Sequence, residues 1–172
     1  MFRRAELWAS LRLLHGFDLP EFIEGARRAY GVASAAMYER DWGYLRPLVH
    51  EDCLGAMQGM AEDLAARAQR VQIPDVEESS APAFNVLSAK LRRAQLLQPS
   101  SDGVEAGTWH LQVHYRVEER IVIYDYSTNE PIQPFDGAPR LQESTWLFEG
   151  VVVTESAEKG ETERTWILRA FV

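Results

Sequence analysis

Apolar residues recur at three- and four-residue steps along the front of the chain and at two-residue steps along the back. Asp18-Leu19-Pro20-Glu21 carries a helix start: an acceptor side chain at the cap, Pro in the first turn, Glu three residues on. Behind it Phe22, Ile23, Ala26, Ala29, Tyr30, Ala33 and Met37 form one stripe, which predicts a helix of about twenty residues. Glu21, Glu24, Arg27 and Arg28 lie off that stripe. Gly31 costs a mid-helix position roughly 1 kcal/mol against Ala, so it predicts a close backbone approach or a bend. Asp41 caps a short second helix over Trp42 to Arg46, closed by Pro47. A third helix starts near His50-Glu51-Asp52, where acids suit the helix dipole. Its stripe of Cys53, Met57, Met60, Leu64, Ala68 and Val71 runs toward Pro74, which ends it.

Residues 75–82 are acidic and turn-rich and read as a connector. From Phe84 the period changes. Phe84 to Leu97 reads as a strand, followed by a polar turn at Pro99 to Gly103. Trp109, Leu111, Val113, Tyr115 and Val117 then alternate with His110, Gln112, His114, Arg116 and Glu118, the mark of a strand with one covered face. Glu118-Glu119-Arg120 breaks the phase before Ile121 to Tyr124, which predicts a bulge or bend. Asn129 to Pro139, with three prolines and a glycine, reads as a loop. Leu141 to Thr154 is a further strand, Ala157 to Glu161 its hairpin turn, and Thr162 to Val172 the last strand. Helices followed by strands mean α+β: three N-terminal helices packed on an antiparallel sheet of about four strands.

Composition adds bounds rather than chemistry. The 172 residues fit one domain, and 46% hydrophobic with 26% charged residues suits a packed core. Cys53 is the one cysteine, which excludes an internal disulfide and a cysteine zinc cage. A net charge of −8 weighs against extensive nucleic-acid contact, which rests on Lys and Arg meeting phosphates. No apolar run approaches the ~20 residues that span a bilayer.

Residues 1–17 form a segment apart from a domain over 18–172. Arg3, Arg4 and Arg12 accompany Phe2, Leu7, Trp8, Leu11 and Leu14 at helical spacing. This suits a presequence, a membrane-surface helix or a first helix packing on the domain. Trp8 is the candidate anchor into lipid or a neighbouring subunit, with the three arginines beside it. Lys90, Arg92 and Arg93 form the one other basic cluster, a candidate partner contact or a solvated strand face.

The remaining candidate chemistry is thin. His110 and His114 share a strand face with Gln112, as a metal or acid–base cluster needs, but their face opposes a wholly apolar one. Asp125 with Tyr115, Tyr124 and Tyr126 supplies groups for acid–base work, yet Tyr124 and Tyr126 point away from Asp125 on a strand. Cys53 stands near a helix start with His50 one turn away, but it falls on an apolar stripe. Gly103 and Gly107 lack the Lys and Ser/Thr of a phosphate loop. No catalytic, cofactor or metal residue is assigned.

Taken together, the helix from Phe22 to Tyr30, the turn with Asp41, Trp42 and Leu45, a third helix, and strands holding Thr145-Trp146-Leu147-Phe148-Glu149-Gly150 and Thr165-Trp166-Ile167-Leu168-Arg169-Ala170 are similar to one group. The pattern resembles the C-terminal domain of the mitochondrial import-motor tether and its relative in the large mitochondrial ribosomal subunit. That resemblance implies a cone-shaped, nuclear-transport-factor-two-like fold with a curved sheet. It further implies a non-enzymatic structural subunit in the mitochondrial matrix, peripheral to the inner membrane, with no cofactor and with protein subunits as partners. The sequence departs from the pattern in lacking a long charged N-terminal region and in being acidic. The acidity is awkward for a ribosomal RNA contact or for anionic lipid, so an accessory subunit of a respiratory or ATP synthase complex fits the charge better, with the large ribosomal subunit the other possible host. Two alternatives stand beside it: an import-tether-like protein without its N-terminal arm, and a small-molecule-binding or lyase-type enzyme of the cone superfamily. The first reading expects the aromatic-lined bowl of the C-terminal half to be plugged by side chains or filled by a neighbouring polypeptide.

Overall fold

A computed structural model describes residues 17–74, 82–97, 106–153 and 166–171. The segment holding Trp8, Arg3, Arg4 and Arg12, the turns at Pro99 to Gly103 and Ala157 to Glu161, and most of the connector lie outside the described residues.

Helix α1 spans Leu19–Glu39, and the Asp18 carboxylate accepts from the Glu21 amide at 3.0 Å as its sequence predicts. Arg40 ends it in the left-handed conformation. The helix runs through Gly31 without a break, and no neighbouring atom occupies the place of a Cβ there, so no close approach explains that glycine. Helix α2, Trp42–Leu45, is capped by Asp41, whose side chain accepts from the Tyr44 amide at 3.0 Å. Its Leu45 is fully buried.

Helix α3 covers Glu51–Ala66 and stops eight residues short of Pro74. Ala68 turns the chain at φ 54°, and Gln69–Gln72 leaves as strand β1. Ala68 and Val71 therefore continue the helical spacing by coincidence. Val71 packs from a strand, and Met60 is exposed.

Strands β2 (Phe84–Leu97), β3 (Ala106–Glu119), β6 (Arg140–Val153) and β7 (Trp166–Phe171) form a four-stranded sheet in the order β2-β3-β6-β7, antiparallel throughout. Strands β3 and β6 pair without a slip from Ala106↔Val153 to Glu119↔Arg140. Beyond Glu119 the chain leaves this sheet. Strands β4 (Val122–Asp125) and β5 (Pro131–Asp136) join β1 in a three-stranded sheet, order β1-β4-β5. The phase break at Glu118 to Arg120 is thus a change of sheet rather than a bulge. The proline-rich stretch expected to be a loop contains an edge strand. Such a strand tolerates proline because its outer N–H groups owe no ladder bond.

Trp109, Leu111, Val113, Tyr115 and Val117 turn one face of β3 into the core, joined by Trp146 and Phe148 of β6 and Leu168 of β7. Phe22, Ala26, Tyr30 and Ala33 of α1, with Cys53 and Met57 of α3, cover them. Tyr30 stacks on Trp146 with centroids 4.6 Å apart, and Tyr115 meets both rings at 4.9 and 5.5 Å. The Tyr115 hydroxyl, buried, donates to the Ala26 carbonyl at 2.9 Å and ties sheet to helix. The chain from Leu48 to His50 lies alongside β7, with the Leu168 amide donating to Leu48 at 2.9 Å and the His50 amide to Leu168 at 2.7 Å. Among the described residues the architecture is α+β, three helices with antiparallel sheets of three and four strands.

Candidate functional site

The core face of the sheet changes character along its length. Side chains on a strand alternate, so Glu119 follows Val117 onto the core side of β3. On β6 the same face runs from Phe148 and Trp146 to Ser144, Gln142 and Arg140. One end of the face is apolar and filled; the other is polar. There α1 brings Tyr30, Met37 and Tyr38, α3 brings Met57 and Met60, and Phe135 and Phe171 close the sides around a cavity of about 430 Å³. Side chains fill the bowl along its Trp109 to Val117 floor and leave this cavity at its Glu119 end, where the expectation calls for a neighbouring polypeptide.

The open end concentrates ionisable groups. The Tyr30 hydroxyl donates to Glu119 Oε1 at 3.0 Å. Burial holds the Glu119 carboxyl above its ordinary range, while the Tyr30 hydrogen bond and the positive charge of Arg140 pull the other way. Burial also raises the Tyr30 phenol, with Glu119 adding to the shift. Tyr38 is pushed up to about 12 by burial and then by Glu119, against Arg140. Both phenols remain protonated donors across the physiological range. Arg140 stands directly opposite Glu119 in the β3–β6 register, and its guanidinium lies over the Phe135 ring at 4.0 Å. Acceptor, donors and an apolar wall meet in one place.

A second depression runs between α1 and strands β6 and β7. One part, of about 560 Å³, is lined by Phe17, Phe22, Phe148 and Trp166. A second part, of about 290 Å³, is lined by Val32, Tyr44 and Leu48 among others. The two share Arg28, Ala29, Phe148 and Trp166 and so form one trough. Val32, Tyr44 and Leu48 are 46%, 48% and 43% exposed, a grouping of large hydrophobic side chains at the surface among the described residues.

The residues singled out from sequence are dispersed. His110 and His114 sit on the outer face of β3, half-buried: His110 meets Glu149 at 2.8 Å, and His114 meets Thr145 at 3.3 Å and Glu143 at 3.7 Å. Tyr115 is in the core. Tyr124, in the other sheet, lies 4.7 Å beneath the Arg70 guanidinium, and Tyr126 is exposed. Asp125 caps a surface turn, accepting from the Ser127 amide at 2.7 Å, the Thr128 amide at 3.2 Å and the Ser127 hydroxyl; the Ser127 bonds chiefly lower its pKa. These groups do not converge. Cys53 is buried on α3, and desolvation raises its thiol to about 11, the opposite of an activated nucleophile. His50 is occupied as the α3 cap, its Nδ1 accepting from the Asp52 amide at 3.3 Å. Lys90, Arg92 and Arg93 are exposed along edge strand β2. Among the described residues no group of three or more His, Cys, Asp or Glu could hold a metal ion, and no helix is long and apolar enough to cross a membrane.

Sequence reasoning passed over Glu119, Tyr30 and Arg140. The alternation from Trp109 to Val117, carried one step further, would have placed Glu119 inward. Tyr30 lies within an apolar stripe, and Arg140 depends on a pairing register that only the folded sheet supplies. No protein-family model matches the chain, and no curated protein matches it in sequence.

Proposed function

We propose that the chain is a non-enzymatic interaction subunit of a large mitochondrial assembly. In this reading it sits at the matrix face of the inner membrane, in a respiratory or ATP synthase complex or in the large ribosomal subunit, and uses the trough between α1 and β7 to seat a partner subunit. The helices and the four-stranded sheet then form the cone implied by the family resemblance, with the trough along its flank. The observation that carries the reading is the convergence of Val32, Tyr44 and Leu48 on a trough already walled by Phe148 and Trp166. An uncovered apolar grouping of this kind is stabilised when a partner removes it from water, at about 25 cal/mol per Å² buried. The site in mitochondria rests on the family resemblance and on the Arg-rich, acid-poor start of the sequence.

The test is native purification from isolated mitochondria followed by sizing under mild detergent. The chain is expected to co-migrate with a particle far larger than its own 19.6 kDa. Elution as a free monomer contradicts the proposal.

A further inference from the structure

We propose that the cavity at the polar end of the core face binds a neutral, amphipathic small molecule through a carboxamide-like group, held between Glu119 and Arg140, with its apolar body against Trp146, Met57 and Phe171. This stands independently of the trough and its partner.

Glu119 and Arg140 are direct cross-strand partners on the core side. Such positions hold their Cβ atoms about 5 Å apart, within reach of one small functional group. Glu119 spends Oε1 on the Tyr30 hydroxyl, which fixes the carboxyl group and leaves Oε2 to accept a further hydrogen bond. Arg140 is held by its stacking on Phe135 and lines the cavity, where its guanidinium offers N–H donors. An acceptor beside donors matches a group that presents N–H and C=O side by side. A carboxylate offers only acceptors and an ammonium only donors.

Charge selects in the same direction. An acid and a base face each other across the cavity mouth, so a bound anion gains from Arg140 and loses to Glu119, and a cation the reverse. A neutral ligand escapes both penalties, which matter more in a partly desolvated cavity than in water. Beside the polar Ser34, Tyr38, Gln142 and Ser144, the lining includes an apolar wall of Met37, Met57, Trp146 and Phe171, with Phe135 nearby. They supply polarisable, adaptable contact for an aromatic or aliphatic body. The volume, about 430 Å³, is in the ordinary range for small-molecule sites.

The probe is 4-phenylbutanamide, titrated into the full chain and followed by two-dimensional NMR of backbone amides and of the tryptophan indole and arginine side-chain N–H signals. The expected result is saturable binding, with the largest shifts at Trp146, Arg140 and Glu119. The carboxylate and the amine of the same skeleton are expected to bind at least tenfold more weakly. Arg140→Met, checked for native folding by its unchanged spectrum away from the cavity, is expected to bind the amide at least tenfold more weakly. Glu119→Leu is expected to do the same, and Tyr30→Phe serves as a milder variant should Leu at 119 disturb the fold. Absence of saturable amide binding overturns the proposal. So does equal binding of all three head groups, or unchanged amide affinity in folded Arg140→Met.

Discussion

The Tyr30 hydroxyl of α1 donates to Oε1 of Glu119 on β3 at 3.0 Å, joining the long helix to the one inward-facing acid at the end of the apolar β3 face. Burial keeps the folded Glu119 carboxyl above its ordinary 4.5. Between the unfolded and folded values the unfolded chain holds fewer protons, so stability falls as pH rises through that window. Glu119→Gln removes this titration and still accepts from Tyr30. Its melting temperature relative to the parent chain should therefore climb from pH 4 to pH 8, as read by circular dichroism. A difference that is flat or declines with pH contradicts the assignment.

Tyr115 carries a second helix-to-sheet bond, to the Ala26 carbonyl at 2.9 Å, inside the core. Tyr115→Phe keeps the ring packing and leaves that carbonyl without its side-chain donor. A loss of about 1 kcal/mol in urea unfolding is expected, because the helix bond to the same oxygen is retained.

Gly150 of β6 faces Trp166 of β7 in the sheet, and a Cβ there would run into the six-membered ring of that tryptophan. Trp166 also meets Phe17 and Phe22 at centroid distances of 5.9 and 5.1 Å, so the ring cannot move alone. Gly150→Ala should cost about 1–3 kcal/mol, measured by denaturant unfolding, with disturbed Trp166 signals.

The Cys53 thiol, raised to about 11 by burial, should resist a disulfide reagent at pH 8 in the folded chain and react at once in denaturant. Rapid reaction in the folded state would show that α3 opens there.

Much of this fold was legible because local chemistry and packing agree. The Asp18 and Asp41 caps and the alternation from Trp109 to Val117 each specify one structure at short range. Legibility failed where distant partners decide. Ala68 and Val71 keep helical spacing, yet Val71 is claimed by Ile123 across β1 and β4. The Pro131 to Asp136 stretch becomes a strand only because β4 offers it an edge. The cavity was missed for the same reason: Tyr30, Glu119 and Arg140 come from three segments, and each looks ordinary in its own. Gly31 stays without a packing explanation.

The trough offers the most direct test of the central claim. Tyr44→Asp with Leu48→Asp places charges on side chains that are already exposed, so stability should change by no more than about 0.5 kcal/mol per site. The measurement is native sizing of detergent-solubilised mitochondria holding either the parent chain or this double variant. The account predicts the parent chain in a large particle and the folded variant eluting near 19.6 kDa. A double variant that stays in the large particle, or a parent chain that elutes as a monomer, contradicts it.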